Sequence, residues 1–297
     1  MNFLPIDINS KDIIKTFFNA QRIEASDMLF GNLYIWHFSR EIKYCVINNN
    51  LVIMTKFKNE QYPFVFYPLG YGDRKKTITL LKEYFLSNSM PFSMRSLEEF
   101  QKNELISFFG DSFIINANRD RFDYIYKVND LINLSGRKLH NKKNHLNRFF
   151  NLYPDFSYEA IDSTNAKEVI ETYTKWFNDN QNINDGLRNE YIGIEASLKN
   201  LSLLDMKGAL IRIDNKIAAF SLGEKINDNS VVIHIEKGNI FYSGIYQAIN
   251  QQFLANTWNN MEFVNREEDL GLDGLRKAKM TYQPFKFIEK YNAILRS

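Results

Sequence analysis

The chain has 297 residues and one cysteine, Cys45. That excludes an internal disulfide and any cysteine-based zinc site. Its longest apolar runs fall short of the ~18–20 residues needed to cross a bilayer. The opening segment, residues 1–12, lacks a basic region followed by an apolar core, so it does not read as a secretory signal. Net charge is only +2, so any affinity for nucleic acid has to be local. There is no Gly-x-Ser-x-Gly elbow and no Ser/His/Asp or Cys/His arrangement for covalent catalysis. No helical His-x-x-x-His spacing occurs, and His140 and His145 are five apart, so no metal is expected. These absences point to a cytoplasmic protein without a metal or an activated nucleophile.

Hydrophobic residues make up 44% of the chain, and 25 Phe and 16 Tyr supply core volume. Such a length suggests about two domains. The pattern predicts helices over 7–19, 75–85 and 97–109. It predicts a hairpin over 44–58 with a three-residue polar turn at Asn48, Asn49 and Asn50, and strands over 64–69, 92–96, 114–116 and 124–128. In the second half it predicts a strand over 156–161, helices over 164–178 and 188–201, and three strands over 209–213, 217–223 and 230–235. A helix over 244–258, a strand over 261–264, a helix over 272–280 and a final strand over 285–291 complete it. Both halves share this plan, which fits an α/β class of two mixed sheets flanked by helices. The expected division is an N-terminal domain over 1–125, a basic crossover helix over 126–155 and a C-terminal domain over 156–297 that carries the active site.

No Asp or Glu lies between Asp130 and Asp155, whereas Arg137, Lys138, Lys142, Lys143 and Arg148 do. Ser135 is the expected N-cap of a helix whose buried stripe is Leu139, Leu146, Phe149 and Phe150. Ordinary surface helices mix both signs of charge, so a face this basic is read as binding phosphates. The other reading is a solvated helix that joins the two halves.

The densest polar cluster, Asn265 to Gly271, follows a short apolar strand, a place where sites often form. Glu267, Glu268 or Asp269 can act as base or hold an ammonium, and Arg266 can stabilise an oxyanion or hold a phosphate. Asn265 flanks them, and Arg276, Lys277 and Lys279 follow on a helix. His234 and Glu236 alternate on one strand and so share a face. Their two readings are an acid/base pair and a hydrogen-bonded core histidine. Only Gly244 stands where acetyl-CoA enzymes of this plan place a glycine-rich pyrophosphate loop, so it is a weak cofactor position.

Three patches resemble a known family. They are Tyr124-Ile125-Tyr126 with Leu134 to His145; His234-Ile235-Glu236-Lys237 with Tyr246, Gln247 and Asn250; and Val264 to Lys279. Together they are similar to the catalytic C-terminal domain of phosphatidylglycerol lysyltransferases and, more closely, to soluble bacterial relatives of it. The resemblance covers residues 120–297 well and the first half loosely. It implies two tandem GNAT-like (acyl-CoA N-acyltransferase-like) domains. It also implies transfer of an aminoacyl group from charged tRNA to a lipid hydroxyl such as that of phosphatidylglycerol, with an amine as an alternative acceptor. Two departures stand out. The lipid synthases carry a membrane-embedded flippase to which nothing here corresponds. The family's Lys-x-x-Phe-x-Pro reads Lys279-Met280-Thr281-Tyr282-Gln283-Pro284. The resemblance thus implies an acyltransferase that needs no cofactor, with tRNA as partner and an anionic lipid, small molecule or peptide as acceptor, located in the cytoplasm or at the inner face of the membrane. The runner-up is an acyl-CoA-dependent N-acyltransferase. A third reading is a nucleic-acid or anionic-membrane binding protein with a decayed transferase site.

Overall fold

The computed structural model describes residues 1–296. In chain order the first stretch runs β1 (Leu4–Pro5), α1 (Lys11–Phe18), α2 (Phe30–Trp36), β2 (Arg40–Ile47), β3 (Asn50–Phe57), β4 (Phe64–Val65), β5 (Leu69–Gly70), α3 (Arg74–Ser87), β6 (Ser93–Leu97), α4 (Glu99–Phe109) and β7 (Phe113–Ala117). The second stretch begins with β8 (Asp123–Lys127), α5 (Val128–Asn133), α6 (His140–Leu152), β9 (Ser157–Ile161), α7 (Ala166–Asn178), α8 (Asp185–Lys199) and α9 (Leu201–Leu204). It continues through β10 (Lys207–Ile213), β11 (Lys216–Lys225), β12 (Ser230–Gly238), α10 (Ile245–Thr257), β13 (Phe263–Asn265), α11 (Asp273–Met280) and β14 (Lys286–Ile288). The last strand is β15 (Tyr291–Leu295).

Two units result. Unit 1 comprises residues 1–123 and the segment from Ile288 onward, and unit 2 comprises Tyr124–Phe287. Unit 1 holds a sheet ordered β1-β2-β3-β4-β6-β15-β7, with β5 also paired to β3. The other sheet is ordered β14-β8-β13-β12-β11-β10-β9.

The division differs from the expected one because the final strand is two strands. β14 joins the second sheet, whereas β15 pairs antiparallel with both β6 and β7 in the first. At the break stands Lys290, fully buried. Its ammonium lies 2.6 Å from Asp123 and also pairs with Asp27. Asp123 in turn accepts from the Ser26 amide at 2.8 Å. A lysine can be buried only when paired in this way, and removing one partner typically costs about 3–5 kcal/mol. The basic segment is likewise not a connector. Leu139, Leu146 and Phe149 pack into the unit 2 core with Tyr124, Val231 and Phe253.

Local chemistry corrects three further details. The β2–β3 turn has two residues, Asn48 and Asn49 (φ 48° and 57°), and Asn50 already pairs with Ile47. Asparagine tolerates left-handed backbone, as such tight hairpins require. Ser135 caps nothing: the helix opens with a 3-10 turn over Arg137–Leu139, preceded by Gly136 at φ 86°, and no side chain bonds its first amides. Left-handed Leu134 (φ 47°) separates α5 from that turn. Helices α2, α5 and α9 have no counterpart in the sequence reading.

Unit 2 positions its site through one sheet irregularity. β12 and β13 run parallel and pair from Ser230–Phe263 to Val232–Asn265. There the pairing stops, while β12 continues to Gly238 against β11. The two strands part beyond Asn265, and the polar side chains of both strands' continuations meet in that opening.

Candidate functional site

Glu236 on β12 and Arg266 just past β13 meet across the opening. One guanidinium nitrogen of Arg266 donates to Glu236 Oε1 at 3.0 Å, and Asn250 on α10 donates to Glu236 Oε2 at 3.1 Å. The Arg266 guanidinium carbon lies 5.0 Å from the Tyr282 ring centre and 5.9 Å from that of Tyr126. Gln247 and Arg266 both approach the Tyr282 hydroxyl. Of the three guanidinium nitrogens of Arg266, Nη1 is buried with no hydrogen-bond partner. A buried cation with one idle donor fits a place where negative charge arrives.

Lys142 of α6 also approaches Tyr282, its ammonium 4.3 Å from the ring centre. Burial, and secondarily the charge of Arg266, push the Lys142 pKa down. Lys142 opens onto a groove of about 300 Å³ lined by Lys138, Asn141, His145, Thr281 and Gln283. Lys138, Lys143, Arg137 and Arg148 are exposed on the helix surface.

The Asn265–Gly271 loop is held at four points. Glu267 has φ 56°, a costly value for a residue with a Cβ, and its amide donates to Asn265 Oδ1 at 2.7 Å. The Lys279 ammonium donates to the carbonyls of Arg266, Glu267 (3.1 Å) and Glu268 (2.7 Å). Asp269 is fully buried, accepts from Arg276 Nε and Nη2 at 2.9 and 2.8 Å, and bonds the Tyr124 hydroxyl and the Gly271 amide. Burial opposes its ionisation, but these donors hold its carboxyl well below the usual range. Glu267 Oε1 meets His234 Nδ1 at 2.7 Å, and Glu224 meets His234 Nε2 at 2.9 Å. Burial alone would lower the His234 pKa, but the two carboxylates raise it to about 10. His234 is therefore a buried imidazolium at neutral pH, the core reading of the two.

The predicted residues thus sort into three groups. Arg266, Glu236 and Lys142 converge on Tyr282. Glu267, Asp269, His234, Asn265, Arg276 and Lys279 fix the loop that presents Arg266, and Glu268 lies half-buried on that loop. Lys277 is exposed in the last turn of α11. Sequence reasoning missed Tyr282, Gln247 and Asn250 as site members. Tyr282 carried a signal, since it occupies the one aromatic position at which the Lys279–Pro284 stretch departs from the family pattern.

Gly244 has a different role from a cofactor cradle. Its φ is 83°, and a Cβ there would stand 2.5 Å from the His145 carbonyl oxygen. The residue lets α10 start directly against α6. Neighbouring amides are occupied within the protein: Phe241 bonds Asn239 Oδ1, Tyr242 bonds the Asn239 carbonyl, and Ser243 bonds the Tyr153 hydroxyl. Among the described residues no group of three His, Cys, Asp or Glu could hold a metal ion. Nor is any helix among them long and apolar enough to cross a membrane.

Residues 20–294 match the family described as phosphatidylglycerol lysyltransferase, C-terminal. A conserved protein of unknown function from Bacteroides thetaiotaomicron has the same structure over 100% of both chains, with 32% identity and a TM-score of 0.90. The L-PGS structure from Bacillus licheniformis superposes over 96% of this chain and 92% of that one at TM-score 0.67 and 14% identity. A tandem GNAT protein from the clavulanic acid biosynthesis pathway superposes over 100% and 99% at TM-score 0.52 and 8% identity. These likenesses establish the fold as two tandem GNAT-like domains. An uncharacterized Mycoplasmoides gallisepticum protein is 25% identical over 174 residues, 57% of this chain and 54% of that one, so the chain spans about half of that curated relative.

Proposed function

The chain belongs to the phosphatidylglycerol lysyltransferase C-terminal family, and from that premise we propose that it moves an aminoacyl group from charged tRNA to a lipid hydroxyl of phosphatidylglycerol type or to an amine. The observation that carries this reading is Arg266: a largely buried guanidinium, paired with Glu236, whose buried Nη1 has no hydrogen-bond partner. The acceptor oxygen or nitrogen attacks the ester carbonyl. The bond from that carbon to the tRNA ribose oxygen breaks, and the proton the acceptor loses ends on that ribose oxygen. Negative charge builds on the carbonyl oxygen meanwhile, and Arg266 Nη1 supplies a donor for it. Lys142, its pKa lowered by burial and by Arg266, is suited to carry the proton between acceptor and leaving oxygen. No covalent enzyme intermediate is needed.

We favour charged tRNA over acyl-CoA as donor because no glycine-rich loop precedes α10 and Gly244 serves helix packing. Lys138 lines that groove, and it and the exposed cations Lys143 and Arg148 of the same helix would meet tRNA backbone phosphates. An anionic lipid acceptor would bring the protein to the inner face of the membrane.

The test is transfer of a labelled aminoacyl group from a set of charged tRNAs to phosphatidylglycerol vesicles and to a soluble amine, with acetyl-CoA as the competing donor. Arg266→Ala is expected to lower turnover by roughly 10²–10³-fold, the size seen when one oxyanion donor is removed. Full activity in Arg266→Ala would refute the assignment of that residue. Acetyl transfer in place of aminoacyl transfer would refute the choice of donor.

A further inference from the structure

Unit 1 contains its own parallel strand contact, β4 with β6 through Val65 and Met94. In unit 2 the candidate site lies on the carboxyl side of the parallel pair β12–β13. On the corresponding side of the unit 1 pair, Phe66, Arg95 and Ser96 line a concavity of about 270 Å³. The backbone there is irregular. Leu97 pairs with Tyr291 and Met94 with Ala293, so Arg95 and Ser96 together oppose the single residue Asn292. Ser96 has φ 58°, a strained value for a residue with a Cβ. All three residues of this bulge line the concavity. Bulges and strained residues of this kind recur beside functional sites, where they re-aim side chains.

The lining chemistry is specific. Arg40, Arg95 and Arg121 surround the space, with Arg40 stacked over Phe57 at 5.1 Å and Arg95 over Phe64 at 4.1 Å. Arg95 pairs with Glu60 Oε1 at 2.7 Å, which leaves Glu60 Oε2 buried without a hydrogen-bond partner. Asp27, the other lining carboxylate, is engaged by Lys290 and by the Ser96 hydroxyl. Three guanidiniums line the space, and their several N–H groups can take a carboxylate in addition to the partners they already hold. Planar guanidiniums match carboxylates best, and the idle Glu60 oxygen calls for a donor on the same ligand.

We propose that this concavity binds a small carboxylate carrying a neighbouring hydrogen-bond donor, an amino acid or a hydroxy acid. The proposal is independent of the transferase reading, because it concerns residues of unit 1 alone and is measured by binding. The experiment is isothermal titration of the full chain with glycine, serine, glycolate and lactate, with ethylammonium and inorganic phosphate as controls. At least one carboxylate is expected to bind saturably, and Arg40→Leu or Arg121→Leu to weaken it by at least about tenfold, as loss of a charge-assisted pair does. Arg266→Lys in unit 2 should leave binding unchanged. Thermal unfolding verifies that each variant folds, and Arg40→Gln replaces any leucine variant that does not. A larger loss for the amino acids than for the hydroxy acids in Glu60→Gln identifies the ligand as amine-bearing, and the reverse as hydroxyl-bearing. The proposal is overturned if no carboxylate binds, if phosphate binds as tightly, or if Arg266→Lys abolishes binding while the Arg40 and Arg121 variants retain it.

Discussion

Gly244 sits against the main chain of the basic helix, 2.5 Å separating the position of a Cβ from the His145 carbonyl oxygen. A shift of α6 to make room for a side chain at 244 would move Lys142 relative to Tyr282. Gly244→Ala should therefore cost about 2 kcal/mol or more, from left-handed backbone and from overpacking together. For a unit of this size that is a fall in Tm of roughly 4–8 °C. An alanine variant that melts at the wild-type temperature would remove the packing account of this glycine.

His234 gives a second prediction. Its folded pKa, about 10, lies above the ordinary 6.5. The stability it supplies is thus complete below about pH 6.5 and is lost as pH rises through about 10. Unit 2 should unfold at progressively lower temperature over that window, and His234→Gln should flatten the dependence. Since the imidazolium stays charged at neutral pH, the pH–rate profile of transfer should show no inflection near 6.5. A histidine-like inflection that disappears in the glutamine variant would restore His234 as an acid/base residue.

Glu98 supplies the opposite half of the molecule with a titration of its own. Burial raises its pKa from 4.5 to about 7, although the amides of Ala25 and Glu24 donate to it at 2.8 and 2.9 Å. The folded value exceeds the unfolded one, so its contribution is complete below pH 4.5 and is lost as pH rises through 7, by about 3 kcal/mol in total. Glu98→Gln keeps an acceptor for both amides. It should make unit 1 more stable at pH 8 while changing little at pH 4, as followed by denaturant unfolding. Equal effects at both values would show that Glu98 is ionised throughout.

Asp269→Asn tests the loop. The substitution weakens a two-point contact between the buried Asp269 and the partly exposed Arg276. Its cost should fall below the roughly 3–5 kcal/mol of a wholly buried pair. Asp269→Asn should lower Tm and transfer together. Loss of transfer in Asp269→Asn at wild-type Tm would mean that Asp269 takes part in the chemistry directly.

Much of this was legible in the sequence, and the failures share a cause. The period of apolar residues placed most helices and strands, and the Val264–Lys279 patch marked the loop that presents Arg266. Roles within that loop were not legible, because they depend on partners far along the chain. Asp269 reads as a candidate base until Tyr124, 145 residues earlier, is found bonded to it. Glu267 reads the same way until it is seen clamped on His234. Lys142 is indistinguishable from Lys138 and Lys143 by composition and spacing; only Tyr282 sets it apart. The break in the final strand at Lys290 was not legible for a related reason, since an unpaired lysine belongs on the surface and its two aspartates lie far away in sequence.

The placing of β15 between β6 and β7 has a consequence for synthesis. β7 has no other strand neighbour in its sheet. The ribosome therefore delivers the whole of unit 2 before it makes the strand that gives β7 its place. Nascent unit 1 must keep the β6 edge unpaired throughout, and such edges are where chains mispair with one another. The buried Lys290, just before β15, meets Asp27 and Asp123 only after unit 2 has been made, so the ion cluster closes late in the assembly of unit 1.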